Sequence, residues 1–138
     1  MSFLIFKNGR LYLRKRVRIV RRVSRMKKHT VSEEKRLRAE AAVIARERVE
    51  HFNKYYGFSY GRIAIRNQKT RWGSCSSKGN LNFNYRIAEL APELQDYLVV
   101  HELCHLKEMN HGPNFWKLVG EQVPEYKRLS ATLRKYPL

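Results

Sequence analysis

The chain has 138 residues, 43% of them hydrophobic, and a formal net charge of +17. This length indicates one domain, and the absence of an apolar run of 18 residues excludes a membrane-spanning helix by sequence. The opening MSFLIFKNGR has too short an apolar stretch for a signal peptide. Cys75 and Cys104 are most simply reduced thiols, so we expect a cytoplasmic protein.

The positive charge is concentrated at the N-terminus. Residues 1–32 contain 11 Lys or Arg and no acid, whereas residues 33–138 contain 18 Lys or Arg and 12 acids. We therefore divide the chain into a basic N-terminal segment, residues 1–31, and a domain formed by residues 32–138. The basic segment is a candidate nucleic-acid contact, and a solvated or mobile arm is an equal alternative. The apolar residues of this segment fit neither the helical period nor the strand period well, so the sequence does not decide between strand and helix.

A capping box and an apolar stripe predict the first long helix, over roughly residues 32–56. Thr30 and Glu33 have the T-x-x-E spacing, and Gly57 supplies the end of the helix. The stripe, which we expect to face the core, consists of Leu37, Ala41, Ile44, Ala45, Val49, Phe52 and Tyr56.

Three short extended segments follow this helix. Ile63 and Ile65 alternate with polar or small neighbours, residues 70–75 form a second extended piece, and a turn occupies residues 76–80. Residues 81–85 then alternate between apolar side chains and asparagines. We predict a small antiparallel sheet between helices, which is an α+β fold.

The next predicted helix, residues 92–108, is the most informative part of the chain. Pro92 and the acidic Glu93 suit the first helical turn, and apolar residues on several faces indicate a buried helix. Two shorter helices, residues 114–122 and 125–135, follow on either side of Pro124.

Residues 101–105 read HELCH, an H-E-x-x-H motif. On a helix His101 and His105 share one face and can bind one metal ion, while Glu102 can reach a water on that ion. This layout is typical of zinc hydrolases. The alternative is a pair of hydrogen-bonded core histidines, which is less favoured because unpartnered histidines are costly in a buried helix.

A third metal ligand must come from beyond a continuous helix. Glu108 lies on the His101 face but about 10 Å further along the axis, whereas zinc ligands lie about 2.0–2.2 Å from the metal. The turn at residues 110–113 brings the chain back, so His111 is the favoured third ligand. The less favoured alternatives are Glu108, Glu121 and Glu125.

Three stretches carry a resemblance to a known family: RWGSCSSKGNLNFNYR at 71–86, VVHELCHL at 99–106 and NHGPNFW at 110–116. Together they resemble the YgjP-like zinc metallopeptidases, relatives of the SprT-like and Wss-type zincin proteases, over roughly residues 33–136. The resemblance implies a zincin-like domain with one Zn²⁺ per chain. It further implies His101, His105 and His111 as metal ligands, and Glu102 as the general base.

We therefore expect a peptidase that hydrolyses peptide bonds in peptides or proteins through a zinc-bound water activated by Glu102. Arg71, Tyr85 and Arg86 are candidates for stabilising the oxyanion. Residues 72–75 are candidates for pairing with extended substrate as an edge strand, which makes Trp72 and Cys75 candidate substrate-binding residues. A Cys75 thiolate that competes for zinc is an alternative, although burial or a turn role is favoured over it.

Two other functions remain open from the sequence. A zinc hydrolase acting on nucleotide phosphates would suit the net charge of +17. A nucleic-acid-binding module with a structural zinc is less favoured, because structural zinc usually has four protein ligands and Glu102 would have no role. Among SprT-like relatives are proteases that act on DNA-bound proteins, so a peptidase working near nucleic acid is consistent with the basic segment. The sequence does not determine the oligomeric state.

Overall fold

Two antiparallel strands begin the chain, β1 (Ser2–Lys7) and β2 (Arg10–Lys15), paired with Ser2 opposite Lys15. The computed structural model describes residues 2–7 and 10–15 through their backbone, and residues 27–138 with their side chains. The choice between strand and helix is therefore settled as strand for these two ranges. The basic residues at positions 16–26 lie outside the described residues.

Helix α1 (Val31–Tyr56) confirms the prediction from the capping box and the apolar stripe. The Thr30 hydroxyl accepts the backbone N–H of Glu33, and the Glu33 carboxylate accepts the N–H of Thr30 at 2.8 Å. At the other end Gly57 has φ 67°, a left-handed conformation that favours glycine. Five stripe residues are buried and face the core: Leu37, Ala41, Ala45, Val49 and Phe52.

The sheet contains β3 (Ile63–Arg66), β4 (Gly73–Cys75) and β5 (Leu81–Asn84) in the order β3-β5-β4. The prediction of an antiparallel sheet is wrong for β3, which runs parallel to β5. The chain reverses direction between β3 and β4 and again between β4 and β5, so β3 and β5 point the same way. The mostly buried β5 takes the central position, and only the β4–β5 pair is antiparallel.

Helix α2 (Pro92–Cys104) begins where predicted but ends four residues earlier than residue 108. His105 is its C-cap, and the N–H groups of Leu106 and Lys107 turn back to carbonyls three residues earlier. This helix is buried on several faces and packs against α1, β4 and two later helices, so it forms the centre of the core. Cys104 is fully buried there, as expected for core packing.

The remaining elements surround this central helix. A 3₁₀ helix (Tyr85–Glu89), which the sequence did not predict, leads from β5 toward α2. Helices α3 (Pro113–Gln122) and α4 (Tyr126–Leu133) confirm the two closing helices, and both pack against α2. The result is the α+β fold that the element pattern predicted. No helix among the described residues is long and apolar enough to span a membrane.

Candidate metal centre

Three histidine side chains converge at the C-terminal end of α2. His101 lies in the last turn of the helix, His105 caps it, and His111 lies in the turn just before α3. The Nε2 atoms of His105 and His111 are each 3.2 Å from the Nε2 atom of His101. All three ligand atoms lie within 4.8 Å of one another, so one ion can contact them all.

The spacing of these nitrogens fits an ion of the size of zinc. Tetrahedral zinc with nitrogen ligands at about 2.0–2.1 Å holds neighbouring nitrogens roughly 3.3 Å apart. The two separations from His101 Nε2, each 3.2 Å, agree with that value, and the His105–His111 pair lies within 4.8 Å. Three imidazoles are also a donor set that suits zinc, copper and nickel better than magnesium or calcium.

The early end of α2 explains how His105 is oriented. Its Nδ1 atom lies 3.0 Å from the backbone carbonyl of Glu108, in the turn that follows the helix. A hydrogen on Nδ1 donated to that carbonyl leaves the Nε2 lone pair facing the other histidines. Glu108 therefore supports the centre through its backbone.

The other carboxylates considered as third ligands have partners elsewhere. Glu121 accepts a hydrogen bond from the Tyr55 hydroxyl at 3.1 Å, and Glu125 accepts one from Arg128 at 2.9 Å. The structure brings His111, not these two carboxylates, into the group with His101 and His105.

Two aromatic residues of α3 pack against the imidazoles. The Phe115 ring stacks on His105 with centroids 4.5 Å apart, and the Trp116 ring stacks on His111 with centroids 5.8 Å apart. Trp116 is in turn stacked on Tyr126 of α4 at 5.1 Å. These contacts restrict the rings to orientations in which their nitrogens face one another.

Burial and mutual proximity keep the central imidazoles uncharged. Burial, with the neighbouring His105 and His111, lowers the pKa of His101 to about 3. Burial is also the main cause that lowers the pKa of His105. Neutral imidazoles are the form that binds a metal, so the site is ready for one at neutral pH.

Glu102, which follows His101 in α2, is buried, with 4% of its surface exposed. Burial raises the pKa of its carboxyl to about 8, and the positive charge of Arg71 opposes this shift. The carboxylate packs directly against β4, where a Cβ atom on Gly73 would lie 3.0 Å from Glu102 Oε1. Sequence reasoning missed Gly73, although a glycine inside a strand often marks a close approach of this kind.

The predicted substrate-binding residues of β4 lie near Glu102. Cys75 is half-buried, and burial together with the charge of Glu102 raises the pKa of its thiol, so the thiolate form is disfavoured. Trp72 lines a pocket of about 360 Å³ whose other walls include Tyr97 and Leu133. The strand thus forms one side of the centre.

Tyr85 and Arg86 lie in a different group of side chains, the His29 cluster, which consists of His29, Tyr85, Arg86 and Glu89. The Tyr85 hydroxyl is 2.9 Å from His29 Nδ1, and a Glu89 carboxylate oxygen is 2.9 Å from His29 Nε2. Arg86 donates to Glu89 at 3.1 Å and to the Lys27 carbonyl at 2.8 Å. Tyr85 and Arg86 therefore lie in one cluster. Their hydrogen bonds go to His29, Glu89 and Lys27, and not to the metal-centre histidines.

Tyr97 is a second residue that sequence reasoning missed. Its hydroxyl oxygen lies 3.2 Å from Nδ1 of His101, on the side of the ring away from the other histidines. The available signal was its spacing, because position 97 is one helical turn before His101 on the same face.

Comparisons with known proteins agree with this fold and identify a family. A family model described as a YgjP-like metallopeptidase domain matches residues 8–136. The crystal structure of the metallopeptidase zymogen abylysin of Pyrococcus abyssi is 24% identical, covers 68% of this chain and 99% of its own, and has a TM-score of 0.55. That of the zymogen jannalysin of Methanocaldococcus jannaschii is 22% identical, covers 66% and 94%, and has a TM-score of 0.57. These two likenesses concern the fold, and no curated protein matches the chain.

Proposed function

Because the chain belongs to the YgjP-like family of metallopeptidase domains and is therefore a hydrolase, we propose that it cleaves peptide bonds with one zinc ion. In this proposal His101, His105 and His111 hold the zinc through Nε2. The observation that carries the proposal is the spacing of these atoms, 3.2 Å from His101 to each of the other two. When bound, zinc would supply a Lewis acid that lowers the pKa of water and polarises the carbonyl of the scissile bond.

Glu102 is proposed as the general base. The proposal is supported by its place directly after His101 in α2 and by its burial against Gly73, which restricts the position of its carboxylate. It takes a proton from the attacking water and delivers that proton to the leaving amine. Burial favours this transfer, because a carboxyl pKa raised toward neutrality suits both the uptake and the release of a proton.

The substrate is proposed to bind in extended form along β4. Among the described residues β4 lies at the edge of the sheet, since the strand order is β3-β5-β4. An edge strand offers backbone N–H and C=O groups to which a peptide can add as a further strand. Trp72 and Cys75 then contact the peptide on either side of Gly73 and Ser74.

Arg71 is the best supported candidate for stabilising the oxyanion. The support is that its positive charge lowers the pKa of the Glu102 carboxyl against the effect of burial. Tyr85 and Arg86 rank after it, because their hydrogen bonds go to His29, Glu89 and Lys27.

The basic N-terminal segment is proposed to bind nucleic acid, and the domain of residues 32–138 to carry the chemistry. The support is the charge distribution, with a net +11 in residues 1–32 against +6 in the rest. Binding to DNA or RNA that does not weaken with rising salt would contradict the electrostatic part of this proposal.

Cys75 and Cys104 are free cysteines, which supports a cytoplasmic location.

The test compares zinc-loaded wild type with Glu102→Gln on a peptide mixture, a DNA-bound protein and nucleoside triphosphates. We expect wild type to cleave peptide bonds, and Glu102→Gln to keep its zinc while losing about 10²–10⁴-fold in rate. Full turnover by Glu102→Gln would remove Glu102 from its role. Cleavage of nucleotides alone would replace the peptidase with the nucleotide hydrolase, and zinc binding without hydrolysis would favour a structural zinc.

A further inference from the structure

We infer that Tyr97 is a positioning residue of the metal centre, whose hydroxyl oxygen accepts the Nδ1 hydrogen of His101 and directs Nε2 toward the metal. This inference rests on the proposed metal site. Its basis is a distance of 3.2 Å between the Tyr97 hydroxyl and His101 Nδ1, with the two rings edge to face at 5.7 Å.

Because His101 lies within a helix, the hydrogen-bond acceptor for its Nδ1 atom is a side chain and not a backbone carbonyl. The backbone carbonyls of a helix interior are occupied by the N–H groups four residues later, so a histidine there lacks a local carbonyl acceptor. His105 caps the helix and uses the carbonyl of Glu108 in the following turn. Tyr97, one turn before His101, supplies the equivalent acceptor within the helix.

Tyr97 also borders α4. Its ring is buried, and it lines a cavity of about 360 Å³ together with Ser130 and Arg134. Arg134 donates to the Ser130 hydroxyl at 3.4 Å, so the Ser130 side of this cavity is itself hydrogen-bonded.

The orientation of His101 matters because this histidine is next to both other ligands. The Nε2 atoms of His105 and His111 each lie 3.2 Å from the Nε2 atom of His101. A rotated ring or the other tautomer would remove the lone pair that faces both neighbours. A partner on Nδ1 that prevents this typically changes metal affinity 10- to 100-fold when it is removed.

The experiment measures zinc affinity by chelator competition for wild type, Tyr97→Phe and Tyr56→Phe, each as the full chain. Tyr56→Phe is the matched control, because the Tyr56 hydroxyl donates to the Leu118 carbonyl at 2.6 Å, so this variant also loses one partly buried tyrosine hydrogen bond. We expect Tyr97→Phe to bind zinc about tenfold more weakly, and Tyr56→Phe to match wild type. The absorption spectrum of the cobalt-loaded protein should change for Tyr97→Phe alone, since it reports the arrangement of the ligands.

Ser130→Ala provides a second test that keeps the phenol in place. It should weaken zinc binding less than Tyr97→Phe does, because it changes a neighbour in the cavity and leaves the phenol oxygen beside His101. Wild-type affinity and an unchanged cobalt spectrum in both variants would overturn the role of Tyr97 while leaving the metal site intact. A wild-type protein that binds no zinc would instead overturn the proposed function, and this inference with it.

Discussion

The metal centre and the His29 cluster use the same residue type in opposite ways. The His29 side chain is 5% exposed, and its two ring nitrogens meet a phenol and a carboxylate, each at 2.9 Å. At the metal centre His101 has the Tyr97 hydroxyl on Nδ1, whereas its Nε2 faces two other imidazole nitrogens. A histidine whose two ring nitrogens both have hydrogen-bond partners in the protein stabilises the fold. A histidine whose ring nitrogen faces the lone pairs of other imidazoles is arranged to bind a cation.

This contrast predicts that the two regions can be damaged independently. Changes at the centre should lower zinc affinity or turnover and leave stability nearly unchanged. Changes in the His29 cluster should lower stability and leave zinc affinity unchanged.

After the direct removal of the base in Glu102→Gln, Gly73→Ala is expected to give the largest loss of activity with the fold and the metal retained. The added Cβ would meet Glu102 Oε1 and the Asn82 carbonyl oxygen, each at 3.0 Å, so the carboxylate must move. The required shift is a few tenths of an ångström, and since a misplacement of about 1 Å can cost on the order of a hundredfold in rate, we expect a loss of about tenfold. Turnover of a peptide by the zinc-loaded variant, together with its zinc content, checks this.

Gly120→Ala is the control for that substitution. Its Cβ would meet a ring carbon of Tyr126 at 3.3 Å, and a side chain can shift where a backbone carbonyl cannot. Wild-type turnover by Gly73→Ala would contradict the expectation that Glu102 needs the space left by the missing side chain at position 73.

His29→Ala is expected to destabilise the protein without affecting the centre. It removes the partner of both Tyr85 and Glu89, and a lost buried partner costs about 1–3 kcal/mol. The free energy of unfolding from urea titration, measured beside zinc affinity, tests both halves of the expectation. His51→Ala, at a half-buried position on α1, should change stability by less than about 0.5 kcal/mol.

A drop in zinc affinity in His29→Ala at unchanged stability would contradict the separation of the two regions. It would also return Tyr85 and Arg86 to the centre as candidate active-site residues.

The smallest expected effect is a shift in the pH dependence of Arg71→Gln, which is separate from the fall in kcat at every pH that the loss of an oxyanion stabiliser would cause. The positive charge of Arg71 lowers the pKa of Glu102, which burial raises to about 8, so its removal raises that pKa further. The ionised base then forms at higher pH, and the rising limb of kcat/KM against pH should move upward. Lys54→Gln, on the distant end of α1, should leave the limb in place, and a downward shift for Arg71→Gln would contradict this electrostatic assignment.

The local features of the fold could be predicted from the sequence because their causes are local. The Thr30–Glu33 capping box and Gly57 define α1 through contacts within a few residues. The pair of His101 and His105 follows from helical spacing, and the turn around Gly112 indicated that His111 would return to them.

The missed features depend on packing between distant segments. Which strand occupies the centre of the sheet is decided by burial across elements, so the parallel pairing of β3 with β5 was not visible in alternation alone. The role of Gly73 arises from the approach of β4 to α2. Tyr85 and Arg86 follow β5 in the chain, but Tyr85 meets His29 and Arg86 meets the Lys27 carbonyl, each more than 50 residues away, which proximity in sequence cannot indicate.

The metal content of the purified protein tests the central claim most directly, with wild type measured beside His111→Ala and Glu108→Ala. We expect one zinc ion per chain in wild type, loss of most of it in His111→Ala, and retention in Glu108→Ala. Glu108 serves the centre through its backbone carbonyl, which the truncation of its side chain leaves in place. Zinc retained by His111→Ala and lost by Glu108→Ala, or absent from wild type, would contradict the three-histidine centre.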